Sequence, residues 1–153
     1  MTTIVGDWAR KILVADSQYS DDDAGIKYFE DKVFAIPNGW LGGAGTAIDI
    51  EKVLAHIKNK GKTPPKLKGN SCFLMLTDAG LFSCGDDLEW ETVRTNMAIG
   101  SGAMAAETVM RMGHKAEEAV RWACNVDLMS HEPIKVYTLG TSQGKLWAGE
   151  KNE

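Results

Sequence analysis

A threonine directly after the initiator methionine can put two reactive groups into one residue. The small side chain of Thr2 makes Met1 a plausible substrate for aminopeptidase removal, which leaves Thr2 with a free α-amine beside its own hydroxyl. An α-amine titrates at ~7.7–8.0, so it can take a proton near neutral pH. One residue then carries both the attacking oxygen and the base that activates it, as nucleophilic acyl transfer needs. A plain N-terminal strand accounts equally well for this start, since Thr3-Ile4-Val5-Gly6 is β-branched. Whether Thr2 does chemistry depends on which residues the fold brings to it.

The elements that would do the positioning can be read from period and punctuation. Lys11 to Asp16 is a second apolar run, and Asp7-Trp8-Ala9-Arg10 makes a short hairpin connection to it. Residues Ser17 to Gly25 are polar, with Asp21, Asp22 and Asp23 in a row, and read as an exposed acidic loop. A strand is expected over Lys32 to Pro37, then a turn at Asn38-Gly39. The segment Trp40 to Gly45 leads into a helix over Thr46 to Lys60, where Ile50, Val53, Leu54 and Ile57 recur at helical spacing. Gly61 and Pro64-Pro65 stop that helix. Ser71 to Thr77 is almost continuously apolar, the mark of a strand buried on both faces, and turns at Asp78-Ala79-Gly80 into Leu81 to Cys84. Met97 to Gly100 is short and extended. Ser101-Gly102 opens an Ala- and Met-rich helix that Gly113 breaks, and a third helix covers His114 to Asp127. Ile134 to Leu139 is a strand with Gly144 to Trp147 as its hairpin mate. Hairpin connections imply antiparallel sheets. Helices in two separate places imply that both outer faces of a two-sheet stack are covered. The expected class is α+β, a four-layer αββα sandwich forming one domain over residues 1–153.

In this order the motifs resemble the proteasome β-subunit family of N-terminal-nucleophile hydrolases, especially the peptidase subunit of the bacterial proteasome-like heat-shock protease. Thr2-Thr3-Ile4-Val5 is similar to that subunit's mature start, and Ala15-Asp16-Ser17 to the family's Asp-Ser or Asp-Gly pair. Gly43 to Asp49 resembles the glycine-rich turn into the first helix, and Ile99-Gly100-Ser101-Gly102 the family's Ile-Gly-Ser-Gly turn. Asp127-Leu128-Met129-Ser130 is similar to its Asp-x-x-Ser. The resemblance runs from about Thr2 to Leu139. It implies Thr2 as nucleophile, with Asp16 and Lys27 stabilising charge; Lys32 is the other lysine that the match allows. It implies Ser101 as a proton shuttle beside the α-amine, with Asp127 and Ser130 orienting Ser101 and Thr2 from behind. Ser20 would pair its backbone with the substrate strand, Gly45 would supply the oxyanion-binding N–H, and Ala47 would line the pocket for the substrate's first side chain. Taken singly, these residues also have structural readings: Asp16 caps a turn, Lys27 is a surface charge, and Ser101 caps its helix.

The activity implied is a threonine endopeptidase in a homo-oligomeric ring or double ring, acting on unfolded polypeptide with an ATP-dependent unfoldase as partner. The alternatives are a catalytically silent scaffold subunit and a small-molecule amidase of the same fold. No cofactor or metal is expected. The net charge of -4 and pI near 5.4 argue against nucleic acid or an acidic membrane surface as partner. The three cysteines lack any metal-binding spacing and read as small buried hydrophobes of a reducing, cytoplasmic compartment. His56, His114 and His131 read as structural or exposed, and the five tryptophans as core or subunit contacts.

Overall fold

In a computed structural model the described residues are 2–21, 26–29 and 31–149, with backbone alone at 18–21 and 26–29. The elements in chain order are β1 (Thr3–Asp7), β2 (Ile12–Ala15), β3 (Gln18–Asp21), β4 (Ile26–Phe29), β5 (Val33–Ile36), β6 (Gly39–Ala44), α1 (Ala47–Lys58), β7 (Cys72–Thr77), β8 (Gly80–Cys84), β9 (Glu91–Val93), β10 (Asn96–Gly100), α2 (Ala103–Arg111), α3 (Ala116–Val126), β11 (Lys135–Thr138) and β12 (Lys145–Leu146). Two five-stranded antiparallel sheets result, ordered β10-β1-β2-β11-β12 and β5-β6-β7-β8-β9, with β3 and β4 forming a separate hairpin. Helices α2 and α3 pack on the first sheet and α1 on the second, while β1 meets β6 and β7 across the middle. The expected four-layer αββα sandwich is thus the observed architecture.

Strand periodicity sorts side chains into three cores. Along β1, Ile4 enters the layer between the sheets and Val5 the layer under α2 and α3. On β2, Leu13 and Ala15 face the middle while Ile12 and Val14 face the helices. In β7, Leu74 and Leu76 point to the middle and Phe73 to α1. A strand with apolar neighbours on both faces has no reason to alternate with polar residues, so Ser71 to Thr77 reads as a continuous run. Small residues on α2 and α3 (Ala106, Ala116, Ala119 and Ala123) let the helices lie close to β1 and β2.

Two segments differ from expectation. The polar stretch after Ser17 is not all loop: β3 occupies its first half and pairs with β4, Ser20 opposite Lys27. Asp22 and Asp23, the heart of the expected acidic loop, lie outside the described residues. Gly39 to Ala44 is not a lead into α1 but a strand inside the second sheet, hydrogen-bonded to both β5 and β7. Its glycines hide the strand signal because they carry no side chain to pack. Helix α1 lies within the expected Thr46 to Lys60 span, and Thr46 is its N-cap, with Oγ1 accepting from the Asp49 N–H at 3.3 Å.

Candidate active site

Strand alternation gives Thr2 and Thr3 different surroundings. Thr2 lies on the Ile4 side of β1, toward the second sheet, and is buried. It lines a cavity of about 180 Å³ whose walls include Lys32, Phe34, Gly45, Ala47 and Ile50. Thr3 lies on the Val5 side and is completely buried against the helix layer. The start of β1 is held hard in place. The Thr3 N–H donates to Asp16 Oδ1 at 2.9 Å, and the Asp16 N–H returns a bond to the Thr3 carbonyl at 3.1 Å.

Asp16 is the hub of the site. Its carboxylate also accepts from the Lys32 ammonium at 2.9 and 3.0 Å and from the His131 N–H at 3.0 Å. Both side chains of the ion pair are shut away from water, 7% exposed for Lys32 and 0% for Asp16. Burial pushes the Lys32 pKa down, and the neighbouring Asp16 charge offsets this only in part. Lys32 precedes the first strand of the second sheet, and Asp16 follows the second strand of the first, so this bond ties the two sheets together beside Thr2. Lys27 is on β4; its side chain, like that of Ser20, lies outside the described residues.

Behind Thr2 runs a chain of hydroxyls. Ser101 Oγ donates to Asp127 Oδ2 at 2.5 Å, and Ser130 Oγ donates to the same oxygen at 2.7 Å. Ser130 has thereby used its only proton, so at 2.7 Å the Thr3 hydroxyl is the donor to Ser130. Ser101 Oγ also lies 3.5 Å from the Thr2 carbonyl oxygen. Asp127 closes α3 at its C-cap, where the helix dipole disfavours a carboxylate. Desolvation pushes its pKa up, but bonds from Ser101, Ser130 and the Met129 N–H outweigh it and hold the carboxyl below its usual range. Gly100 is required in the turn that carries Ser101: its φ is +96°, and a Cβ there would sit 1.9 Å from the Thr2 carbonyl oxygen.

Across the cavity, Gly45 and Ala47 stand exposed at the mouth of α1. Gly45 has φ +152° and packs so closely on Ser71 that a Cβ would fall 2.3 Å from Ser71 Oγ. Ser71 is in turn held by Asp49, which accepts from Ser71 Oγ at 2.9 Å and from the N–H groups of Lys68 and Gly69 at 2.9 and 3.1 Å. The Lys68 amide leads the causes that hold the Asp49 carboxyl below its ordinary value.

The structure therefore brings Thr2, Asp16, Ser101, Asp127, Ser130, Gly45 and Ala47 to one end of the sandwich. Sequence reasoning passed over Thr3, Asp49 and Ser71, and the cavity residues Phe34, Ile50, Glu51 and Leu54. A signal existed for part of these: Ala47, Ile50, Glu51 and Leu54 follow the i, i+3, i+4, i+7 rule for one helix face. Of the three cysteines expected to be buried only Cys84 is; Cys124 is half-buried and Cys72 is exposed. Cys84 and Cys124 are poor rivals to Thr2 as nucleophile, because desolvation pushes their thiols up to about 12. Among the described residues no cluster of His, Cys, Asp and Glu could hold a metal. No helix there is long and apolar enough to cross a membrane.

Comparison with solved structures finds close matches over almost the whole chain. A Thiobacillus denitrificans protein called BPH superposes with a TM-score of 0.69 at 17% identity, covering 92% of this chain and 99% of its own. The eukaryotic HslV of Trypanosoma brucei gives 0.67 at 20% identity, covering 88% and 97%. The fold is that of the proteasome-type N-terminal-nucleophile hydrolases. A further BPH structure, in complex with epoxomicin, matches at 0.69 and 16% identity, covering 92% and 100%. No protein-family model and no curated protein matches the sequence. At these identities the likeness carries the architecture. The case for chemistry rests on this chain's own side chains.

Proposed function

We propose that the chain is a threonine endopeptidase whose nucleophile is Thr2 after removal of Met1. The observation that carries this reading is Thr2 lining a cavity with Lys32, whose ammonium is paired with the same Asp16 that holds the next residue's amide. Thr2 Oγ attacks a peptide carbonyl carbon, and the Thr2 α-amine takes the hydroxyl proton. The Lys32 cation favours the developing alkoxide, in the part that the sequence match gave first to Lys27. Gly45 offers its N–H to the carbonyl oxygen as that oxygen gains charge, a contribution on the order of 10²–10³ in rate. The tetrahedral intermediate collapses, the C–N bond breaks, and the leaving amine carries away the proton held on the α-amine. Water then attacks the ester, with the α-amine again as base, and frees both the new carboxylic acid and Thr2. Ser101 relays protons beside the α-amine, and Asp127, Ser130 and Thr3 hold Ser101 and the start of β1 in register.

Homo-oligomeric assembly is part of the same reading. Met104, Met112, Trp122, Val126 and Leu128 on and after α2 and α3 are exposed apolar side chains that a second copy of the chain would cover. Three free cysteines fit a reducing, cytoplasmic setting.

The test is native and denatured mass of the purified protein together with cleavage of fluorogenic peptides. Loss of one methionine, a multiple of the subunit mass, and cleavage abolished by Thr2→Ala are expected. Epoxomicin, bound by the structural neighbour, should add once to the native subunit and not to Thr2→Ala. Retained Met1 with no cleavage would favour a silent scaffold subunit, and undiminished activity in Thr2→Ala would end the threonine-peptidase reading.

A further inference from the structure

We propose that the cavity beside Thr2 selects a basic side chain on the acyl side of the cleaved bond, with Glu51 as its counter-charge. This rests on the peptidase reading above and names the substrate class of that site. Three walls of the cavity are apolar: Phe34 from β5, with Ile50 and Leu54 from α1. Apart from the Thr2 α-amine at the reacting end, its charged side chains are Lys32, Asp31 and Glu51. Lys32 is neutralised by Asp16, and Asp31 is bound to Lys135 at 2.5 Å. Glu51 makes no hydrogen bond or ion pair among the described residues. Among the described side chains of the wall, Glu51 therefore presents the one charge without a partner, and it is negative.

The position of that charge suits a long side chain rather than a short one. Ala47 and Glu51 are four residues apart on one stripe of α1, so Glu51 lies roughly 6 Å further along the helix. A substrate residue bound with its carbonyl at Gly45 sends its side chain in past Ala47. A methylene stem then runs along Phe34, Ile50 and Leu54, and an ammonium or guanidinium at its tip reaches the Glu51 carboxylate. Lysine and arginine combine that apolar stem with that charged tip. Glutamate at the same position would meet a like charge, and norleucine would bury its stem without gaining the pair.

The experiment compares fluorogenic peptides that differ only at the cleaved residue: arginine, lysine, norleucine or glutamate. In the native protein kcat/KM for arginine and lysine should exceed that for norleucine by about three- to fivefold, the upper end expected of one exposed charge pair. Glu51→Gln should bring kcat/KM for arginine and lysine down to that for norleucine in the same variant, and Glu51→Lys should turn the preference toward glutamate. Because Glu51 is exposed, neither variant should alter thermal unfolding. Norleucine cleavage without a basic preference, or a preference that survives Glu51→Gln, overturns the pocket assignment alone. Failure of every peptide, with no epoxomicin adduct on Thr2, overturns the peptidase reading and this inference with it.

Discussion

Replacing Lys32 by methionine separates what the buried ion pair does for the fold from what it does for chemistry. Methionine has a similar unbranched stem, so it fills the space without the charge. Asp16 would keep the Thr3 and His131 amides at 2.9 and 3.0 Å but lose the Lys32 charge in a place where its side chain has 0% exposure. Leaving one partner of a buried pair uncompensated costs about 3–5 kcal/mol. For a chain of this length that is roughly 10 °C in Tm. Denaturant unfolding measures the loss, and peptide cleavage well below the lowered Tm measures the chemistry, which should fall by at least ~100-fold. The double variant Asp16→Asn with Lys32→Met removes both charges and should recover much of the stability but none of the activity. The alkaline limb gives an independent reading. Because burial depresses the folded pKa of Lys32, the unfolded chain binds the extra proton between that value and 10.5. Stability from this group therefore rises with pH across that window, and the rise should vanish in Lys32→Met. A loss below 1 kcal/mol in the single variant, or undiminished cleavage by the correctly folded double variant, would refute the reasoning.

Two more outcomes follow from the opposite side of Thr2. Gly102→Ala would set a Cβ 1.9 Å from Thr3 Oγ1 and 3.0 Å from the Ala123 Cβ, so α2 and the start of β1 must move apart. A loss of about 1–3 kcal/mol in urea unfolding, with a larger proportional loss of kcat, is expected; wild-type values for both would contradict the packing described. Asp127→Asn tests the hydroxyl chain. The Asp127 carboxyl is held below 3.8 in the folded protein, so its stabilisation is fully present above that pH and is lost as pH falls through the folded value. The variant should be less stable than the parent at pH 7 and should converge with it in strong acid, as urea midpoints across pH 2–7 would show. An equal gap at every pH would mean that the carboxylate charge is not what these donors hold.

Much of the framework was legible in the order of residues alone. The β-branched and apolar runs of β1, β2 and β7, the helical spacing of Ile50, Val53, Leu54 and Ile57 and the stop after α1 depend on local period and punctuation, and such signals are written where they act. Strand β6 escaped because Gly39, Gly42 and Gly43 carry no pattern, although the sheet needs them: a Cβ on Gly39 would strike the Leu76 carbonyl at 1.8 Å. Thr2 could be singled out from its place in the chain, while Asp16, Ser101, Asp127 and Ser130 became candidates through the resemblance to the proteasome β-subunit family. What linear order could not show is that Lys32 meets Asp16: the stacking of one sheet on the other delivers the Lys32 ammonium to the Asp16 carboxylate. The same holds for Thr3, which finds Ser130 across 127 residues of chain, and for Glu51, which α1 turns toward the cavity. Local pattern states what each residue can do; the packing of distant strands determines which charges and hydroxyls share a site, because their interactions fall off over a few ångströms of space whatever their separation in sequence.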